Sequence, residues 1–162
     1  MQWVVLIAAT IAALDQLTKW LIVRFLRPEE SYVVIRGFFD LVNWRNTGAA
    51  WGILRNYNLV LTVVSVLTVL ALYLFRHSFQ LHRWGSRIAL GLIAGGIIGN
   101  LIDRMRVGHV IDFLYFYIGQ YHWPALNVAD SAICVGVALY IILSWRNERA
   151  AQGNAGSAVP RL

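Results

Sequence analysis

Four apolar stretches divide the chain, and each approaches the length of a membrane-spanning helix. They cover residues 3–26, 59–75, 88–102 and 125–145. A helix that crosses the hydrocarbon core needs about 20 residues, so the second and third stretches must extend into their flanks. The pattern therefore predicts four transmembrane helices.

The two longer connections between these stretches have a different pattern. Residues 32–44 form two short β-rich runs around Gly37, and a turn is expected at 46–48. Strands cannot lie open in hydrocarbon, because their backbone groups would stay unpaired, so these runs are expected at the membrane rim. Residues 113–123 are dense in aromatic side chains, which is typical of a segment in the headgroup layer.

Together these elements predict an all-α polytopic membrane protein with four transmembrane helices and a small β-rich extracytoplasmic subdomain. A single membrane-embedded domain is expected over residues 1–145, with its β-rich outer segment at about 27–57. Residues 146–162 are expected to form a disordered cytoplasmic tail.

Composition supports lipid as the solvent of this domain. Of the 162 residues, 59% are hydrophobic and only 14% are charged, whereas a soluble domain carries about 25% charged residues. A soluble domain of this size could not hide so much apolar surface in one core.

The net charge of +6 raises the question of nucleic acid as a partner. The basic residues are scattered beside apolar runs and form no nucleic-acid-binding motif. Their position at the ends of membrane-spanning segments explains them better than nucleic-acid binding does. Residues 76–87 contain three arginines and no acid, whereas the connections at 27–57 and 103–124 contain five acids. This distribution predicts a cytoplasmic middle loop and cytoplasmic termini.

Polar residues within the predicted helices gather at one depth. Antiparallel threading brings Asp15, in the second half of the first helix, level with the outer end of the third helix and the start of the fourth. Those two ends carry Asn100, Asp103, Arg104, Asn127 and Asp130. Charges in a membrane are costly and mark either neutralising pairs or functional sites. The prediction that these polar residues cluster at one depth depends only on the order of the helices along the chain.

Spacing indicates a structural role for some of these polar and small residues. Asp15 and Lys19 are four residues apart, so they share a helix face and are expected to form a salt bridge. Gly91, Gly95 and Gly99 recur every four residues, a pattern that lets a neighbouring helix approach closely.

Asp112 and Asp130 have no basic partner at helical spacing on their own segments. If two carboxyl groups face each other, burial and repulsion leave one protonated and the other ionised. Such a pair suits peptide hydrolysis, because the carboxylate accepts a proton from water while the acid donates to the scissile carbonyl. A proton or ion pathway uses the same residue types.

Two other classes of protein are therefore open on these residues alone. A small proton- or ion-coupled transporter would use Asp15, Asp103 and Asp130 as a relay, although the apolar inner half argues against a continuous path. A noncatalytic membrane scaffold explains the glycines but not two unpaired aspartates. The four histidines are scattered over both sides, so no metal cluster is expected.

Five motifs, taken in order, resemble those of the bacterial lipoprotein signal peptidases (signal peptidase II). They are residues 15–19 (DQLTK), 46–50 (NTGAA), 95–104 (GGIIGNLIDR), 108–113 (GHVIDF) and 124–132 (PALNVADSA). Any one of them is weak, but five in family order over residues 15–132 are highly specific.

The resemblance implies an aspartic endopeptidase of the bacterial inner membrane, with its active site near the extracytoplasmic face. Family members cut prolipoproteins immediately before a diacylglyceryl-modified cysteine, are inhibited by globomycin, and require no metal or cofactor. Asp112 and Asp130 match the family's catalytic aspartates. Positions that shape or support the site match Asp15, Lys19, Asn46, Gly48, Asn100, Arg104, Asn127 and Ala129.

The resemblance also implies an extracytoplasmic β-cradle after the first helix and a mobile lid helix after Asp112. Two residues depart from the family pattern. Trp51 replaces the usual phenylalanine, and Leu126 stands where phenylalanine typically precedes asparagine. Both keep an apolar bulk, so the shape of the substrate pocket is affected rather than the chemistry.

Overall fold

The computed structural model describes residues 1–49 and 52–157 of the chain. In chain order its elements are α1 (Gln2–Phe25), β1 (Ser31–Ile35), β2 (Phe39–Asn46), α2 (Asn58–Leu74), a short 3-10 helix (Arg76–Phe79), α3 (Trp84–Val107), β3 (Val110–Ile118), β4 (Tyr121–His122) and α4 (Val128–Ser157). The four helices coincide with the four predicted apolar stretches, and α3 is longer than predicted at both ends.

Three helices in the described part of the chain are long and apolar enough to cross a membrane. They are α1, α3 and the first part of α4, Val128–Arg146. Helix α2 is equally apolar but has only 17 residues. Large hydrophobic side chains cover the outside of the bundle, among them Leu59 at 76% exposure and Ile141 at 60%. Such a surface needs lipid around it, so the chain is a multi-pass membrane protein.

Helix α3 lies at the centre of the bundle because its glycines let neighbouring helices approach. A Cβ atom on Gly91 would lie 2.7 Å from the side chain of Ile7, and one on Gly95 would lie 2.7 Å from the carbonyl oxygen of Ala8. The interpretation of the glycine stripe as a packing surface is confirmed, and its partner is α1. On another face, Gly96 meets Ala129 of α4.

A four-stranded antiparallel sheet with the order β1-β2-β3-β4 lies at one end of the bundle. Strands β1 and β2 are the two predicted runs, and Gly37 between them has a φ of +78°, which glycine adopts without strain. The β2–β3 register pairs Trp44 with Asp112, and an irregularity lies between Leu41 and Trp44. The sheet thus carries Asp112 to the end of the bundle.

Half of this sheet lies outside the predicted β-rich segment at 27–57. Residues 113–123, where the family resemblance implies a lid helix, belong instead mainly to β3 and β4. The expectation of a helix after Asp112 was wrong, because β-branched and aromatic residues dominate Val110–Ile118 and favour a strand. Pairing with β2 then satisfies the backbone of β3.

Helix α4 differs from its predicted bounds at both ends. It begins at Val128 rather than Ala125, because the backbone of Leu126 pairs with Leu114 and extends the sheet contact. At the other end it continues to Ser157, so the tail predicted to be disordered from residue 146 is helical up to there. Residues 146–152 (RNERAAQ) are mostly strong helix formers. Residues 158–162 and Trp51 lie outside the described residues.

Candidate active site

A cavity of about 830 Å³ lies where the sheet meets the end of α3 and the start of α4. Side chains from all three elements and from the loop after β2 line it. Its lining includes Trp44, Asn46, Gly48, Arg104, Asp112 and Asp130. The two aspartates singled out by the sequence therefore meet in one cavity, although they come from a strand and a helix.

Asp112 lies on β3 and is only 3% exposed. Its Oδ1 atom accepts a 2.8 Å hydrogen bond from Nδ2 of Asn127, and its Oδ2 atom accepts one of 2.9 Å from Nδ2 of Asn46. Burial, which disfavours the charged form, raises the pKa of Asp112 to about 7, and the nearby charge of Asp130 acts in the same direction. Near neutral pH this carboxyl group is therefore poised to hold or release a proton.

Asp130 lies in the first turn of α4 and is half-buried. Its Oδ1 atom accepts a 2.7 Å hydrogen bond from Nδ2 of Asn100. Its Oδ2 atom accepts one of 3.2 Å from the backbone N–H of Asn127, while its own N–H donates to Oδ1 of Asn127 at 2.9 Å. This reciprocal pair is a capping box, so the start of the helix fixes the carboxyl group.

Asn127 thus contacts both aspartates and is fully buried. Its Nδ2 atom donates to Asp112 and its Oδ1 atom accepts from the N–H of Asp130. The same amide lies 3.2 Å from Oδ1 of Asn100. Since every polar atom of this side chain has a partner, its position, and with it the relative position of the two carboxyl groups, is strongly constrained.

Lys19 lies in a buried ionic cluster behind the cavity. Its Nζ atom is 2.8 Å from Oδ2 of Asp15 and 2.8 Å from Oδ2 of Asp103, and it donates to Oδ1 of Asn100 at 3.0 Å. The predicted Asp15–Lys19 salt bridge is confirmed and includes a second acid. Asp15 in turn accepts a 2.9 Å hydrogen bond from the N–H of Ala129. The cluster therefore ties α1 and α3 to the first turn of α4.

The loop after β2 is held over the cavity by polar contacts with Gly48. Its N–H donates to Oδ1 of Asn46 at 2.9 Å, and its carbonyl oxygen accepts from Nη2 of Arg104 at 3.2 Å. A Cβ atom on Gly48 would lie 2.9 Å from the carbonyl oxygen of Ile53. The close return of the loop explains why glycine is needed here.

Two polar residues outside the predicted site join it in the structure. Nε2 of Gln16 donates to Oδ1 of Asp103 at 2.8 Å and to the carbonyl oxygen of Gly99 at 3.1 Å. Oδ2 of Asp103 accepts from the N–H of Ile111, the residue before Asp112. The three-residue spacing of Asn100 and Asp103, which puts both on one helix face, was the signal that could have found Asp103.

Among residues 1–49 and 52–157, no group of three or more His, Cys, Asp or Glu side chains is arranged to hold a metal ion.

Cys134 lines the cavity one turn after Asp130 and is exposed. Ser131 donates to the carbonyl oxygen of Asn127, which is a local helix contact.

Two carboxyl groups that line one cavity and share an asparagine partner, in a helical membrane protein, are an arrangement suited to a membrane-embedded aspartic peptidase. The sequence model of the family described as signal peptidase (SPase) II matches residues 7–146. The chain belongs to this family.

Relatives of known name agree with this assignment. The chain is 49% identical to the lipoprotein signal peptidase of Syntrophotalea carbinolica, over 88% of this chain and 90% of that protein. It is 45% identical to the lipoprotein signal peptidase of Bacillus pumilus, over 85% and 88% of the two chains. A bacterial membrane enzyme solved by the in meso method at 2.3 Å resolution is 30% identical, with a TM-score of 0.81, over 100% of this chain and 94% of that one.

Proposed function

We propose that this protein hydrolyses diacylglyceryl-modified prolipoproteins immediately before the lipidated cysteine, with Asp112 and Asp130 as a catalytic dyad. The observation that carries the proposal is that Asn127 contacts both carboxyl groups at one cavity, that of Asp112 through its side chain and that of Asp130 through its backbone N–H. The names of the relatives support prolipoproteins as the substrate class.

In the proposed mechanism the two carboxyl groups hold one proton between them. The pKa of Asp112 near 7 suits the acid, which donates to the carbonyl oxygen of the scissile peptide. Asp130, facing the same cavity from the helix terminus, acts as the base that takes a proton from the attacking water. As the tetrahedral intermediate collapses, the C–N bond breaks, the proton held by Asp130 passes to the leaving amine, and a hydroxyl group of the intermediate returns a proton to Asp112.

The remaining predicted residues serve this dyad by position. Asn46 and Asn127 orient Asp112, and Asn100 orients Asp130, through the hydrogen bonds described above. Arg104 holds the loop at Gly48 over the cavity. Further back, the side chains of Asp15 and Lys19 and the backbone of Ala129 fix the start of α4.

The cavity has an apolar side that suits a lipidated peptide. Ile133 and Cys134 of α4 line it together with Leu126 and Trp123. In our proposal the signal helix approaches laterally along the bundle, while the two acyl chains of the substrate stay in lipid. Their burial contributes about 0.8 kcal/mol per methylene to affinity. Globomycin-type inhibitors would compete for the same cavity.

We further propose that α2 crosses the membrane as a fourth span, with both termini cytoplasmic and the cavity at the outer face of the bacterial inner membrane. Helix α2 joins two connections that differ in composition. The connection before it carries β2, and the connection after it is rich in arginine. A 17-residue helix is at the lower limit for spanning, and its flanking residues can extend to the interface.

The direct test uses the purified full chain with a diacylglyceryl-modified prolipoprotein, with and without globomycin, and mass spectrometry of the products. We expect one cut before the modified cysteine, abolished by globomycin. The same precursor without lipid is the control and should be cut far more slowly. Absence of cleavage, or cleavage at another bond, would contradict the proposed reaction. Proton flux through liposomes containing the protein would instead favour a transporter.

A further inference from the structure

A second groove, of about 350 Å³, lies between α1 and α2 on the surface of α3. Its walls are Val4, Ala8 and Ala12 of α1, Leu72 of α2, and Leu90 and Ala94 of α3. From Val4 to Ala12 the groove follows α1 for about 12 Å. Alanine side chains on two of its walls leave space along the helices that suits a linear hydrocarbon chain.

The groove shares no lining residue with the cavity that contains the two aspartates. Along the α1–α3 contact, Gly99 meets Asp15 beside the catalytic cavity, Gly95 meets Ala8 one turn further, and Gly91 meets Ile7 beyond that. The groove begins at Ala12 and Ile98, close to the first of these levels, and runs past the other two to Met1 and Tyr73 at the opposite end of the bundle. A molecule bound there would touch neither aspartate.

A cation lies at the open end of the groove. Tyr73 lines that end, and the guanidinium of Arg76 lies 4.6 Å from the centre of its ring and donates to its carbonyl oxygen at 2.9 Å. On the neighbouring helix Arg87 lies over the ring of Trp84, 5.1 Å from its centre. The sequence has no acidic residue from 41 to 102, so the adjoining ends of α2 and α3 carry arginines and no carboxylate of their own.

The groove is apolar, ends at an arginine, and lies in a protein surrounded by lipid. These features match the acyl chain and the phosphate of an anionic phospholipid. We propose that the groove binds one such lipid from the surrounding membrane. One acyl chain occupies the groove between Val4 and Ala12, and the phosphate lies beside Arg76. Arginine is suited to this role because its guanidinium pairs with phosphate through two parallel hydrogen bonds.

The test is native mass spectrometry of the full chain in detergent, titrated separately with phosphatidylglycerol and phosphatidylcholine. We expect one phosphatidylglycerol to be retained preferentially. Arg76→Gln should weaken its binding about fivefold, to the level of phosphatidylcholine, because one arginine at an anionic surface contributes about that factor. Ala9→Phe, which fills the groove from an exposed position on its wall, should weaken both lipids.

Two substitutions outside the groove serve as matched controls. Arg24→Gln removes an exposed arginine at the other end of α1, and Ala13→Phe adds the same bulk to an exposed position on α1. Both should bind phosphatidylglycerol as the unmodified chain does. Thermal unfolding and cleavage of the prolipoprotein check that the groove variants are folded.

Four results would overturn the lipid site. Equal binding of the two lipids by the unmodified chain would remove the role assigned to Arg76. Retention of phosphatidylglycerol by a folded Ala9→Phe variant would exclude the groove. A dimer that Ala9→Phe disrupts would show that the groove binds a second copy of the chain. A crosslink from the groove to the signal helix of the substrate would show that it binds the substrate.

Discussion

Nδ2 of Asn127 donates a 2.8 Å hydrogen bond to Oδ1 of Asp112. The same residue caps the helix that carries Asp130. One side chain therefore fixes strand β3 relative to helix α4, and its loss should affect catalysis more than folding.

Asn127→Ala should lower kcat about 100-fold, because displacement of a catalytic group by about 1 Å costs that much. Loss of the cap should also destabilise the protein by about 1 kcal/mol. Asn43→Ala is the matched control, since Asn43 is buried and donates to the carbonyl oxygen of Leu26 away from the cavity. A similar fall in kcat for both variants would show that Asn127 acts only through stability.

Asp112→Asn and Asp130→Asn should each reduce cleavage by at least about 10²–10⁴-fold, the usual contribution of a general acid or base. Both variants should remain folded and inserted in the membrane. Asp40→Asn provides the control, because Asp40 is a buried carboxyl on β2 that accepts from Tyr117 outside the cavity. Near-normal cleavage by either dyad variant would reject the dyad.

The rate of cleavage should fall as the pH rises through about 7. The pKa of Asp112 is raised to about 7, so its protonated form predominates below that pH and is lost above it. If Asp112 supplies the acid, kcat should fall about tenfold per pH unit on the alkaline side. At strongly acidic pH it should fall again, when both carboxyls are protonated. A rate that climbs steadily from pH 7 to 9 would contradict the assignment of Asp112 as the acid.

Lys19→Met should destabilise the protein by about 3–5 kcal/mol, because it leaves two buried carboxylates without their cation. Thermal unfolding in detergent measures the loss. Arg24→Met removes a cation from the exposed side of the same helix and should have little effect. Comparable unfolding temperatures for the two variants would mean that Asp15 and Asp103 do not depend on Lys19.

Gly95→Ala should separate α1 from α3, because the added Cβ would meet the backbone of Ala8 at 2.7–2.9 Å. Backbone cannot give way cheaply, so we expect a loss of about 1–3 kcal/mol. Gly85→Ala is the control, since the added atom would meet chiefly the flexible end of Leu143. If Gly85→Ala proves the more damaging of the two, close helix approach at Gly95 is not needed.

The continuous apolar stretches were enough to locate the helices, because lipid imposes a length and an apolar surface that the residues must match. They were also enough to bring Asp112 and Asp130 to one end of the bundle. Antiparallel helix order alone specifies the depth of Asp130, and Asp112 follows the third helix after a short return.

The sheet was only half predictable. Strands β1 and β2 are adjacent in sequence and have a glycine turn between them, whereas β3 pairs with β2 across α2 and α3. The β-branched and aromatic residues at 110–118 suit both a strand and an aromatic interfacial segment, and the strand that pairs with them is distant in sequence. The contact of Asp103 with Lys19 was also not evident from the sequence. Lys19 already had an acid, Asp15, on its own helix, and Asp103 lies on another helix.

The shared lysine has a consequence for how the chain enters the membrane. Helix α1 carries its own neutral pair in Asp15 and Lys19, so it can rest in lipid before the rest of the chain is synthesised. Asp103 gains its lysine only when α3 docks against α1. Partition of the third helix into the bilayer is therefore coupled to its docking, because the step that assembles the bundle also brings Asp103 its cation.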